Sequence, residues 1–136
     1  MVMSPKTTSK STILLLSSEP VLRSVLRETL EGAGYVVLST GDLGSAVDRL
    51  KEFGADLLVT HPYIDTMSGH DAAKYLQGRH PKMRILMMAG LIEDDRLRLR
   101  AEVEHFEIFP RPISRRDLLE KVREVLSAPE TQQARA

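Results

Sequence analysis

Apolar runs too short for helices recur along this chain, and the segments between them switch to helical spacing. The runs are Thr12 to Ser17, Tyr35 to Ser39, Asp56 to Thr60, Arg84 to Met88 and Phe106 to Phe109. A run such as Thr-Ile-Leu-Leu-Leu-Ser has no polar alternate face, which is how a strand covered by helices on both sides reads. Between the runs, apolar residues return every three or four positions. Leu22, Val25, Leu26 and Leu30 follow Pro20, which suits a first helical turn, and Gly32 and Gly34 stop that helix. After Gly41 and Gly44 the spacing of Ala46, Val47, Leu50 and Phe53 predicts a second helix facing inward and ended by Gly54. A third is expected from Gly69 to Gln77, before Pro81. Ser114 with Asp117 makes a capping box for a last helix carrying Leu118, Leu119, Val122, Val125 and Leu126. Strict alternation of this kind specifies an α/β domain with one doubly wound, five-stranded parallel sheet.

One segment departs from the pattern. Arg96-Leu97-Arg98-Leu99-Arg100-Ala101-Glu102-Val103 alternates with period two, the mark of a strand. A parallel sheet, however, needs a crossover of a dozen or so residues between its fourth and fifth strands, and Asp94 and Asp95 suit a helix start. We assign it as a helix with a poor apolar stripe.

Composition narrows the function classes. The 136 residues suffice for one compact domain, expected over 11–127, with polar tails at 1–10 and 128–136. Nineteen basic against 19 acidic residues leave a net charge of +0, so there is no overall positive field to gather nucleic acid or an anionic membrane. No cysteine is present, which removes disulfides, thiolate metal sites and Cys nucleophiles, and suits a reducing, cytoplasmic setting. The longest apolar run, Ile13 to Leu16, falls far short of the ~20 residues a membrane span needs.

In an open parallel sheet, ligands bind beyond the carboxyl ends of the strands. The third run ends there at His61-Pro62 and opens into a loop closed by Gly69. His61 therefore stands where such a fold does its chemistry. Ser17 and Ser18 follow the first strand and are expected to cap the first helix. His70, His80 and His105 lack metal-ligand spacing and are assigned to the surface, and Met87-Met88 to the core.

With Ser-Glu-Pro after the first strand, Met-x-Gly after the third and Arg-Pro after the fifth, the stretch from Ile13 to Leu126 resembles the receiver domains of two-component response regulators. The resemblance implies the CheY-like, flavodoxin-like (βα)5 fold with strand order 2-1-3-4-5. It also implies a cis Arg111-Pro112 bond. Family members carry an acidic pair after strand one, a phosphoacceptor Asp at the end of strand three, Thr or Ser after strand four and Lys-Pro after strand five. The matching positions here hold Ser17 and Ser18, His61, Ala89, and Arg111 before Pro112; the family's switch aromatic corresponds to Ile108. Mg²⁺ prefers several oxygen ligands, usually carboxylates with phosphate and water, and these residues supply no carboxylate. Glu19 and Asp65 are the nearest candidates. Mg²⁺ binding is therefore expected to be lost, with no other metal or cofactor.

The expectation is a stand-alone pseudo-receiver, not an enzyme, that does not accept phosphate. It would act as a protein-interaction module, docking a histidine kinase, a regulator or a copy of itself. Its partner face would be the fourth helix, fifth strand and fifth helix, with Arg96, Arg98, Arg100 and Ile108. Two alternatives stay open: an anion or small-ligand sensor using His61 and Arg111, and a phosphoaccepting receiver with an unusual site. Against the anion role, Arg111 would pair with Asp65 or Glu19, His61 would fill the vacated pocket, and the arginine run would be a solvated face.

Overall fold

The computed structural model describes residues 10–61, 63–64, 67–88, 107–109 and 114–128, with the backbone alone at 63 and 107–109. Ala89, Asp65, Arg96, Arg98, Arg100, His105, the Arg111-Pro112 bond and the expected fourth helix lie outside these residues. Elements follow in the order β1 (Thr12–Leu16), α1 (Pro20–Gly32), β2 (Val36–Thr40), α2 (Leu43–Phe53), β3 (Leu57–Thr60), β4 (Tyr63–Ile64), β5 (Met67–Ser68), α3 (Gly69–Arg79), β6 (Arg84–Met88), β7 (Glu107–Phe109) and α4 (Arg115–Ser127). The main sheet is parallel, in the order β2-β1-β3-β6-β7, as expected.

Two separate apolar layers cover the sheet. Alternate residues of the central strands point to opposite faces. Leu14, Leu16, Leu58, Ile85 and Met87 pack with Ala46 and Leu50 of α2 and Ala72, Ala73 and Leu76 of α3. Ile13, Leu15, Val59, Leu86 and Met88 pack with Leu26 and Leu30 of α1 and Leu118, Val122 and Val125 of α4. Because each central strand feeds both layers, it can carry no polar face, which explains its continuous apolar sequence.

Helix ends follow their local chemistry. Pro20 opens α1, and Gly34 (φ 102°) and Gly54 (φ 72°) make the left-handed exits that a Cβ would strain. Asp42 Oδ1, Ser68 Oγ and Ser114 Oγ each accept the N–H three residues on, at 2.8, 3.3 and 3.0 Å, capping α2, α3 and α4. At the far end of α4, the Arg84 guanidinium donates to the carbonyls of Leu126 (2.6 Å) and Ala128 (2.5 Å). This fork satisfies two carbonyls of the closing turn and ties Ala128, expected in a free tail, to the sheet.

Several sequence expectations need correction. Val25 is 42% exposed and Phe53 57%, so neither faces the core. The buried stripe of α1 is Leu26, Thr29 and Leu30, with Leu22 packed beside it, and Val25 lies at its margin. Phe53 is the last residue of α2, and the Arg49 guanidinium lies 6.0 Å from its ring centroid. The segment after His61 is not a plain loop. It holds the antiparallel hairpin of β4 and β5, and Gly69 is already in α3.

Candidate functional site

The carboxyl ends of β1 and β3 lie side by side. Leu16 is the register partner of Thr60, so Ser17 and His61 are the next residues off adjacent strands. Both are buried, Ser17 completely and His61 at 7% exposure. The backbone beneath them is fixed by two buried hydroxyls, Thr60 Oγ1 donating to the Leu16 carbonyl at 3.0 Å and Thr40 Oγ1 to that of Leu15 at 3.1 Å. The Ser17 N–H donates to the Thr40 carbonyl, so three strands converge on this point. The Ser17 hydroxyl has no hydrogen-bond partner among the described residues.

Glu19 is the N-cap residue of α1, and its side chain makes no capping hydrogen bond. The Ser17 side chain therefore does not cap the helix as expected; Ser17 is the first residue beyond β1, and Ser18 is half-buried. Instead, Arg23 reaches back from the second turn of α1, and its Nη1 donates to the Ser17 carbonyl at 2.6 Å. Gly41 makes room for it. A Cβ at Gly41 would lie 2.6 Å from Arg23 Nη1. Arg23 is a site residue that apolar spacing does not point to; its position six residues after Ser17, with a glycine following β2, is the signal the sequence carries.

His70, expected at the surface, is instead buried. It is 1% exposed, in the first turn of α3, which begins as soon as the β4–β5 hairpin closes. His61 and His70 thus both lie inside the protein, one before and one after the hairpin. His80 is half-buried, as a surface position allows. Among the described residues, no group of three or more His, Cys, Asp or Glu is placed to hold a metal ion. Ile108 lies in β7, in register with Met87, at the sheet edge. Of the remaining expected site positions, Ala89, Arg111, Arg96, Arg98 and Arg100 lie outside the described residues. A cleft of about 370 Å³ lined by Ala55, Arg79, His80, Pro81, Lys82 and Met83 opens at the opposite end of β3 and β6, away from Ser17 and His61.

The sequence matches the family model for the response regulator receiver domain over residues 13–123. The chain belongs to the response regulator receiver family. This receiver is 32% identical over 114 residues to the transcriptional regulatory protein CpxR of Escherichia coli, a match covering 84% of the chain and 48% of CpxR. It is 26% identical over 118 residues to the sensor kinase CckA of Brucella abortus, covering 85% of the chain and 12% of that protein. The receiver thus spans about half the length of CpxR and a smaller share of CckA. In fold it is similar to the chemotaxis protein CheY4 of Vibrio cholerae, with a TM-score of 0.76, 19% identity, and coverage of 85% and 98% of the two chains. No helix among the described residues of this receiver is long and apolar enough to cross a membrane.

Proposed function

We propose that this receiver of two-component signalling works as an interaction module independent of phosphorylation. The observation that carries the reading is the pair Ser17 and His61, a neutral hydroxyl and an imidazole on adjacent strand ends. At these positions the family resemblance calls for an acidic residue and the phosphoacceptor Asp. A carboxylate nucleophile is needed to form an acyl phosphate, and Mg²⁺ is a hard cation that takes oxygen ligands. Ser17 offers one weak neutral oxygen, His61 offers nitrogen, and the Glu19 carboxylate is exposed at the start of α1. The residues present do not fit Mg²⁺, so the reading assigns no cofactor and no catalysis to this chain.

On this reading the fold is kept as a binding surface, in the cytoplasm, for a histidine kinase, a regulator or another copy. The partner face is the edge carrying Ile108 together with the arginines at 96, 98 and 100. The matches to a transcriptional regulator and to a sensor kinase support a place in such a pathway. Nucleic acid and membrane are not assigned as partners, since the net charge of +0 gives no general attraction for either.

Incubation with acetyl phosphate and Mg²⁺, read by intact mass, tests the central claim. No phosphoryl adduct is expected. An adduct would return the chain to the phosphoaccepting receivers, with His61 the first residue to map.

One observation favours a second reading, an anion or small-ligand sensor at the same crevice. The Ser17 hydroxyl is buried with no partner among the described residues, an arrangement natural proteins rarely leave without a function or a bound group. His61 and Arg111 would complete the site. A thermal-shift screen of phosphate, nucleotides and flavins that moves nothing would remove it.

A further inference from the structure

The amino ends of β3 and β6 lie side by side, with Leu57 the register partner of Arg84. Just ahead of them, Ala55 and the turn from Arg79 to Met83 enclose the cleft of about 370 Å³, at the end of the sheet away from Ser17 and His61. Half of its lining is apolar, Ala55, Pro81 and Met83. The other half is basic, Arg79, His80 and Lys82, and no acidic residue lines it.

Charge is unbalanced at this end of the molecule. From Ala72 to Ile92 the sequence holds Lys74, Arg79, Lys82 and Arg84 and no Asp or Glu, in a chain whose net charge is +0. Arg84 is committed to the carbonyls of Leu126 and Ala128. Arg79 and Lys82 are exposed and, like the half-buried His80, make no ion pair with a carboxylate among the described residues. The acidic residues nearest Ala55 in sequence, Glu52 and Asp56, do not line the cleft, and the Asp56 carboxylate accepts from the Thr12 N–H at 2.8 Å, on the β1 side of β3.

The basic groups stand on a fixed frame. Arg79 Nη2 donates to the Tyr75 hydroxyl at 2.7 Å, and the guanidinium lies 4.8 Å from the Tyr75 ring centroid, which holds the fork while using one of its five N–H groups. Gln77 Nε2 donates to the Met83 carbonyl at 3.0 Å and the Met83 N–H to the His80 carbonyl at 3.0 Å. The His80 N–H donates to the carbonyls of Leu76 and Gln77, both at 3.1 Å. The carbonyls of Leu76, Gln77, His80 and Met83 are thus engaged within the turn, and side-chain cations give the cleft its charge.

We propose that this cleft is a binding site for a small phosphate monoester. Two permanent cations and an imidazole N–H match a phosphate dianion, with the planar Arg79 fork able to take two of its oxygens and Lys82 acting as a point charge. The apolar half of the lining suits the ester group. Size selects a small molecule over a docked protein: the volume lies within the range of about 300–1,000 Å³ for small-ligand sites, whereas a protein partner covers about 800 Å² of surface, well beyond six residues. The site is separate from the crevice at Ser17 and His61 and depends on neither reading of that crevice.

The test is an amide-shift titration of the whole chain with phenyl phosphate at about pH 7.5, where the ester is a dianion, without Mg²⁺. The amides of Arg79, His80, Lys82 and Met83 are expected to shift together and to saturate below about 10 mM, with those of Ser17 and His61 still. No saturable shift at these four overturns the proposal. Shifts at Ser17 and His61 alone would also overturn it, and would support the anion reading of the crevice instead. Arg79→Gln and Lys82→Gln, both at exposed positions that the fold does not need, should each weaken binding about tenfold or more. Lys51→Gln, at an exposed cation outside the cleft, should leave binding unchanged; an equal loss there would mean diffuse attraction and no site. Benzoate, which keeps the ring and carries a single charge, should bind at least about tenfold more weakly, and equal affinity would remove the assignment to phosphate. Inorganic phosphate should bind several-fold more weakly than phenyl phosphate, and equal affinity would overturn the ester in favour of free phosphate.

Discussion

Ser17 and His61 stand next to one another on adjacent strands, one step beyond the last register pair, Leu16 and Thr60. Two strand ends that would need to gather negative charge around a cation instead present a buried hydroxyl and a buried imidazole. The contrast gives a direct gain-of-function experiment. In the variant Ser17→Asp, Ser18→Asp, His61→Asp, three carboxylates meet at the crevice, and mutual repulsion is relieved by a hard divalent cation. Isothermal titration with Mg²⁺ should show no binding by the natural chain and measurable binding by the triple variant. Equal binding by both would mean that carboxylates elsewhere already form the site.

Arg23 and Gly41 should behave as one unit. Gly41→Ala puts a methyl group where the guanidinium lies, so Arg23 must leave the Ser17 carbonyl. We expect a loss of about 1.5–3 kcal/mol, the range for a hydrogen bond to a charged group. In an Arg23→Ala background the same change should cost much less, because nothing remains to displace. Urea denaturation of the four proteins closes the cycle, and simple additivity would refute the coupling.

The buried hydroxyls of Thr40 and Thr60 hold the ends of the strands that form the crevice. Replacing either by Val keeps the shape and removes one hydrogen bond, for an expected cost of about 1 kcal/mol each. The more informative measurement is the amide shift of Ser17, which should move in both variants if the hydroxyls set its position.

Arg84→Ala should release the closing turn of α4 while leaving its middle intact. The carbonyls of Leu126 and Ala128 lose their donors, and exchange at the amides of 125–128 should accelerate ahead of those of 118–122. Uniform acceleration along the helix would indicate global destabilisation instead.

A core change scales the rest. Leu76 is fully buried on α3 against the layer that includes Leu14 and Ile85, so Leu76→Ala should cost about 2–5 kcal/mol. A smaller loss by thermal or urea unfolding would show that the layer collapses around the cavity.

The fold was legible because β1, β3 and β6 are buried on both faces, which forces runs such as Ile13 to Leu16 that few other structures need. The ends of elements were harder. Phe53 fits the apolar spacing of α2, yet the helix runs out before its ring reaches the sheet, and spacing alone carries no information about where a helix ends. Val25 sits at the edge of its stripe, where three- and four-residue steps diverge. The hairpin after His61 consists of two residues per strand, too few for any periodic signal. The expectation of a surface His70 rests on the absence of metal-ligand spacing, which says nothing about burial. Arg23 was invisible for a different reason: its partners are a backbone carbonyl and the empty space over a glycine, neither of which leaves a mark on the pattern of side chains.

The two apolar layers share no side chain, although every central strand contributes to both. A partner pressing on α2 or α3 would therefore alter the packing of Leu14, Leu58 and Ile85 without directly touching Ile13, Val59 or Leu86. Whatever reaches α1 and α4 from that side must pass as a tilt or shift of the strands themselves. The sheet acts as a stiff diaphragm between two chambers, and a message crosses it as movement of backbone.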